Sequence, residues 1–122
     1  MMAVFDCHGV FDFLTLSQKD FLSLKFNQSG ARIMPHEISG PLHISNIDAI
    51  AILTALQAEK LSKTYIVVYH NCEPDLAVAY LPLENGFPST PWTCENCQEE
   101  IENIDELSFG LMAVSNTSIQ FI

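Results

Sequence analysis

Two short cysteine-bearing clusters constrain this chain more than any other feature. Cys94-Glu95-Asn96-Cys97 sets two thiols two residues apart, and His70-Asn71-Cys72 sets an imidazole and a third thiol upstream of it. In a C-x-x-C turn both thiolates converge on one ion while the backbone N–H groups between them point at sulfur. Zinc takes four such nitrogen or sulfur donors in a tetrahedron. The full pattern, H-x-C-x21-C-x2-C, therefore predicts one structural zinc ion held by His70, Cys72, Cys94 and Cys97. The fourth ligand is the open part of this reading: His70 leads, and Asp75, Cys7 and His8 compete for the position. Metal ligation also suits the local composition. Loops rich in proline and glutamate between short strands supply little core, and ligation contributes folding energy directly. Two other uses of the thiols compete with it. They can be reduced cysteines buried as small hydrophobes, or a redox C-x-x-C, which the surrounding acids disfavour because they raise a thiol pKa.

A chain of 122 residues fits a single domain, with 1–63 as a mainly helical half and 64–122 as a strand-rich, zinc-binding half. Hydrophobic residues make up 48% and charged residues 16%, enough apolar material for a core and too little charge for a disordered chain. No apolar run approaches the roughly 20 residues that span a bilayer. The opening MMAVFDCHGV lacks a basic segment and carries an acid at Asp6, so it does not read as a secretory signal. A cytoplasmic location is the expectation, where thiols stay reduced and paired cysteines more often mean metal than disulfide.

The order of elements predicts an α+β fold: N-terminal helices and a central buried helix, then a small antiparallel sheet carrying a zinc-ribbon-like knuckle. Between Gly9 and Phe26 the apolar spacing predicts one or two short helices, with Ser17 as N-cap before Gln18-Lys19-Asp20. Residues 27–41 contain Gly30, Pro35, Gly40 and Pro41 and read as a loop with a short extended piece near Ala31–Met34. Ser45 then opens a helix from Asn46 to about Leu61, apolar almost all round its middle. Thr64–Tyr69 and Leu76–Leu81 read as strands. Trp92–Cys94 reads as a short strand entering the C-x-x-C turn, and 107–114 and 118–122 read as closing strands.

From Ala51 to Val114, about half the chain, this succession of helix, strand, spacer and C-x-x-C resembles the zinc ribbon-like β-modules that follow a helix in bacterial winged-helix and adaptor proteins. The resemblance implies a structural zinc and an adaptor role. This sequence departs from that pattern in two places. The first knuckle is His70-x-Cys72 rather than C-x-x-C, and Gln98 stands where a glycine usually follows the second.

Charge narrows the partners. Fifteen acids face five bases for a formal net charge of −10, the last base is Lys63, and nine acids with no Lys or Arg lie between Glu73 and Glu106. Such a surface repels phosphate and forgoes the counterion release that drives nucleic-acid binding, while it attracts a protein with a basic surface. The sequence thus favours a non-catalytic interaction, adaptor or regulatory subunit. A small acidic inhibitor of a basic, nuclease-like target, of the immunity-protein or phage-antagonist kind, is the alternative. Oligomeric state is not encoded in any motif. An enzyme with zinc on Cys72, Cys94 and Cys97 and water as fourth ligand needs a general base such as Glu73 or Glu95, and the H-x-E motif of zinc deaminases is missing. Asp6-Cys7-His8 is a poor nucleophile site, because adjacent residues rarely face each other. His36, Glu37 and His43 read as solvated loop residues, and Glu99, Glu100, Glu102, Asp105 and Glu106 as a solvated acidic face.

Overall fold

Apolar side chains sort into two clusters along this chain, and the computed structural model, which describes residues 2–122, builds one unit on each. The fold is α+β. In chain order its elements are β1 (Met2–Phe5), α1 (Leu16–Lys25), β2 (Arg32–Ile33), α2 (His36–Leu42), α3 (Asn46–Ala58), β3 (Ser62–His70), β4 (Ala77–Pro82), β5 (Trp92–Thr93), β6 (Glu100–Ile101), β7 (Leu107–Ser115) and β8 (Ser118–Phe121). The first unit takes the chain up to Thr64 together with Ala113–Ile122; the second is Tyr65–Met112. None of the helices is long and apolar enough to cross a membrane.

In the first unit, local capping sets where the helices begin. The cap of α1 is Thr15 and not Ser17: the Thr15 hydroxyl accepts the Gln18 N–H at 3.1 Å, and the Gln18 side chain accepts the Thr15 N–H at 2.8 Å. This reciprocal box satisfies two orphan donors at once. Gln18 also donates to the Leu42 carbonyl at 2.9 Å, which ties the start of α1 to the end of α2 and places Ser17 inside the first turn. Residues 36–42 are helical despite Gly40 and Pro41, so His36 and Glu37 stand on a helix rather than in the expected loop. Ile38 and Leu42, one turn apart, are both buried, and that burial outweighs the poor helix propensity of the segment. His43 caps it in the left-handed conformation.

The Ser45 hydroxyl accepts the Asp48 N–H at 3.0 Å and starts α3 as expected. The helix contributes Ala49, Ile52, Leu53 and Leu56 to the core. It stops before Leu61 because Lys60 turns left-handed (φ 63°) and the Leu61 N–H reaches back to the Leu56 carbonyl at 2.9 Å. That closure occupies the last free carbonyls. β2 pairs antiparallel with the end of β7. The N-terminal strand β1 was not anticipated; it runs parallel to β8, with Phe5 opposite Phe121. Phe121 lies 5.5 Å from the Phe5 ring and 5.6 Å from the Phe26 ring, so the two chain ends close over one aromatic cluster.

The second unit has a smaller core of Ile66, Val68, Cys94, Ile101 and Leu107. Its strands run in the order β7-β3-β4, with β5 and β6 as a separate two-stranded hairpin. β3 and β4 pair antiparallel, and a register shift between Val68 and Tyr69 leaves Val78 as the extra residue of a bulge.

The aromatic closure of the first unit gives a direct test. Phe121→Ala should lower unfolding free energy by about 3–5 kcal/mol, read from urea denaturation followed by circular dichroism. A loss well below that range would show that the cluster tolerates the cavity.

Candidate metal centre

Strand periodicity delivers the first candidate ligand. Alternate residues of β3 share a face, and Ile66 and Val68 lie in the core of the second unit, so His70 two residues on turns to the same side. It is 2% exposed. A turn closed by the Glu73 N–H on the His70 carbonyl (3.1 Å) follows and carries Cys72.

The other two come from the tip of the β5–β6 hairpin. Trp92 pairs with Ile101 and Thr93 with Glu100, and the Cys94 N–H donates to the Glu99 carbonyl at 2.9 Å as the last rung. The tip turns when the Gln98 N–H reaches the Cys94 carbonyl at 2.8 Å. Gln98 adopts φ 65°, the left-handed conformation that favours glycine. The turn therefore holds a non-glycine residue in a backbone conformation that glycine adopts freely. The Gln98 side-chain amide bonds the Glu95 carbonyl at 2.8 Å, which offsets part of the strain.

His70, Cys72, Cys94 and Cys97 are brought together, with their ligand atoms all within 4.8 Å of one another. The Cys72 and Cys94 sulfurs are 3.8 Å apart, and the Cys97 sulfur is 3.6 Å from His70 Nδ1. Zn–S bonds near 2.3 Å and Zn–N bonds near 2.0–2.1 Å give tetrahedral edges of about 3.8 Å for S···S and about 3.6 Å for S···N. Both spacings fit a metal at the centre. All four cysteines of the chain are unpaired.

The surroundings suit a cation. Burial pushes the Cys94 thiol up, but N–H groups of Cys97 and Asn96 and contacts with the other two thiols together outweigh it, bringing its pKa to about 7. For Cys97 the Glu99 N–H pulls the thiol down, yet burial and the neighbouring Cys72 and Cys94 sulfurs win and hold it high. His70 presents Nδ1 to the cluster, while Nε2 lies 3.9 Å from the Glu99 carboxylate, too far for a direct hydrogen bond. Asn96 donates to the Cys72 sulfur at 3.5 Å.

Of the rival ligands, Asp75 is exposed and outside the group. Cys7 is buried in the first unit, where burial pushes its thiol up and its S–H faces the Phe5 carbonyl at 4.0 Å. His8 is exposed and bonds Asp6 at 2.6 Å, so this trio presents no activated thiolate. His8 N–H bonds hold the Asp6 carboxyl below its ordinary value. Glu99 and Asn96 are the residues that sequence reading missed. The acidic run predicts a solvated face for Glu99, and its side chain is largely exposed; its position two residues after Cys97 in a tight hairpin is the signal that brings it beside the site.

No protein-family model, curated protein or solved structure matches this chain.

Gln98 supplies the test of the turn. Gln98→Gly should keep metal affinity within about threefold, because relief of strain and added chain entropy nearly cancel. Gln98→Val should cost about 1–2 kcal/mol through the left-handed backbone. Competition with a chromogenic zinc chelator reads both, and equal behaviour of the two variants would contradict the role assigned to this backbone.

Proposed function

We propose that this chain is a non-catalytic protein-interaction module, an adaptor or regulatory subunit, whose second unit is held together by one structural zinc ion on His70, Cys72, Cys94 and Cys97. The observation that carries this reading is the gathering of one imidazole and three thiol sulfurs within 4.8 Å of one another at the tips of two hairpins, with two of the separations at 3.8 and 3.6 Å. Four protein donors fill a zinc tetrahedron and leave no position for a reactive water, which is the arrangement of a structural rather than a catalytic site. The need for a staple follows from the core: a cluster of five buried residues, flanked by partly buried hydrophobics, is small for an independent unit, and small units commonly add a metal or disulfides. His70 in place of the first cysteine of a ribbon leaves three thiolates, and three thiolates with one histidine is a common zinc set.

The partner is a protein with a basic surface. Every Lys and Arg of the chain lies at or before Lys63, so the second unit carries nine acids and no base apart from His70. Direct nucleic-acid binding is disfavoured for the same reason. This segregation of charge also favours the second reading, an acidic inhibitor that covers the basic face of a nuclease-like enzyme; inhibition assays against the captured partner separate the two.

Elemental mass spectrometry on untagged protein should find one zinc per chain, with Cys72, Cys94 and Cys97 protected from alkylation until a chelator is added. Cys94→Ser should lose the metal and the dispersed NMR signals of Tyr65–Met112. Lowering the pH from 7.5 to 5 should release the ion, since protons compete for the thiolates and the imidazole. A metal-free chain with full structure in the second unit would overturn the reading.

A further inference from the structure

Beside the metal cluster, and sharing only His70 with it, the second unit holds a cleft of about 320 Å³ lined by Tyr69, His70, Asn71, Pro74, Glu106 and Ser108. Its size is at the lower end of ligand-binding clefts, which run roughly 300–1,000 Å³, and suits one side chain better than a cofactor. The walls divide by chemistry. Tyr69 and Pro74 offer apolar and aromatic surface, and Tyr69 alternates with the buried Val68 and His70 along β3, half-exposed on its own side. Gly110 lies along the ring; a Cβ there would come within 3.7 Å of Tyr69 Cε2, so the missing side chain keeps that flank of the ring slim. Glu106, Asn71 and Ser108 supply hydrogen-bond acceptors, and Glu106 is held at the end of a short 3-10 turn capped by Asn103. There is no Lys or Arg anywhere in Tyr65–Met112 to neutralise Glu106 from within the unit.

An aromatic ring, a carboxylate and further acceptors in one cleft, inside a unit of uncompensated negative charge, match one kind of side chain. A guanidinium stacks flat on tyrosine, forms bidentate bonds to a carboxylate, and loses less hydration than an ammonium on entering such a site. We propose that this cleft is the anchoring subsite for an arginine side chain presented by a basic, extended segment of a protein partner. The inference rests on the interaction-module reading and names the partner's contact chemistry. The neighbouring acids, Glu73 and Asp75 in the same loop as Pro74 and Asp105 beside Glu106, then speed the approach of the segment, while Tyr69 and Glu106 select arginine within it.

The test uses the full chain as purified and two fluorescein-labelled probes, Gly-Arg-Gly-Arg-Gly-Arg-Gly and its lysine counterpart, in fluorescence anisotropy at 150 mM salt, where diffuse attraction is screened. The arginine probe should bind at least fivefold tighter than the lysine probe. Glu106→Gln should weaken arginine binding about tenfold and Tyr69→Leu by a similar factor, whereas Glu102→Gln, which removes the same charge outside the cleft, should change it less than twofold. Amide shifts on titration should centre on Tyr69, Asn71, Glu106 and Ser108, and circular dichroism checks that each variant is folded. Equal binding of the two probes, equal effects of Glu106→Gln and Glu102→Gln, or no binding would each overturn the proposal. Zinc is counted on the same samples. Failure of the probe on a one-zinc protein overturns the cleft alone, and Glu106-dependent binding by a metal-free chain leaves the cleft standing and removes the zinc reading.

Discussion

Three sulfurs and an imidazole within 4.8 Å of one another form the constraint on which the second unit depends. Left to themselves, such groups oppose close approach: ionised thiols repel, and burial penalises each charge. The chain holds them together with two hairpins whose tips meet, and with backbone N–H groups aimed at sulfur. The opposite displacement of the Cys94 and Cys97 thiols, one drawn to about 7 and one held high, expresses that conflict. The separations of 3.8 Å between the Cys72 and Cys94 sulfurs and 3.6 Å between the Cys97 sulfur and His70 Nδ1 are compatible with a metal ion among them.

Glu99 links the parts of this arrangement. Its carbonyl takes the Cys94 N–H, its own N–H points to the Cys97 sulfur, and its carboxylate lies near His70 Nε2. Backbone register thus places the main chain of this surface acid against the cluster. The remaining acids keep a different part: with no Lys or Arg among them they leave the unit strongly negative, and the cleft lined by Tyr69 and Glu106 is the proposed point of contact for a partner.

The first unit is organised by another principle. Its helices begin where Thr15 and Ser45 cap them, and its ends are joined by the parallel pairing of β1 with β8 over the Phe5, Phe26 and Phe121 cluster. Capping is a local matter and was largely legible: Ser45 was correctly identified, and Thr15 was missed by two residues because Ser17 offers a similar local pattern. Pairing of the termini is a non-local matter. Nothing within Met2–Phe5 says which strand will lie beside it, so β1 escaped notice.

By itself the sequence determined the α+β class, the main strands, the start of α3 and the three cysteines of the cluster, because alternation, capping and ligand spacing are all short-range regularities. It also determined the charge asymmetry, which is a property of composition along the chain. The tertiary structure alone decided that His70, rather than Asp75, Cys7 or His8, completes the group, since only the shared face of Ile66, Val68 and His70 turns the imidazole inward. It decided that Ile38 and Leu42 make a helix of a segment whose glycine and prolines read as a loop. It decided, too, that Gln98 takes up a glycine-like backbone and that Tyr69, Asn71 and Glu106 line one cleft. Each of these depends on residues distant in sequence arriving at the same place, and burial and hydrogen bonding there outweigh what local propensity prefers.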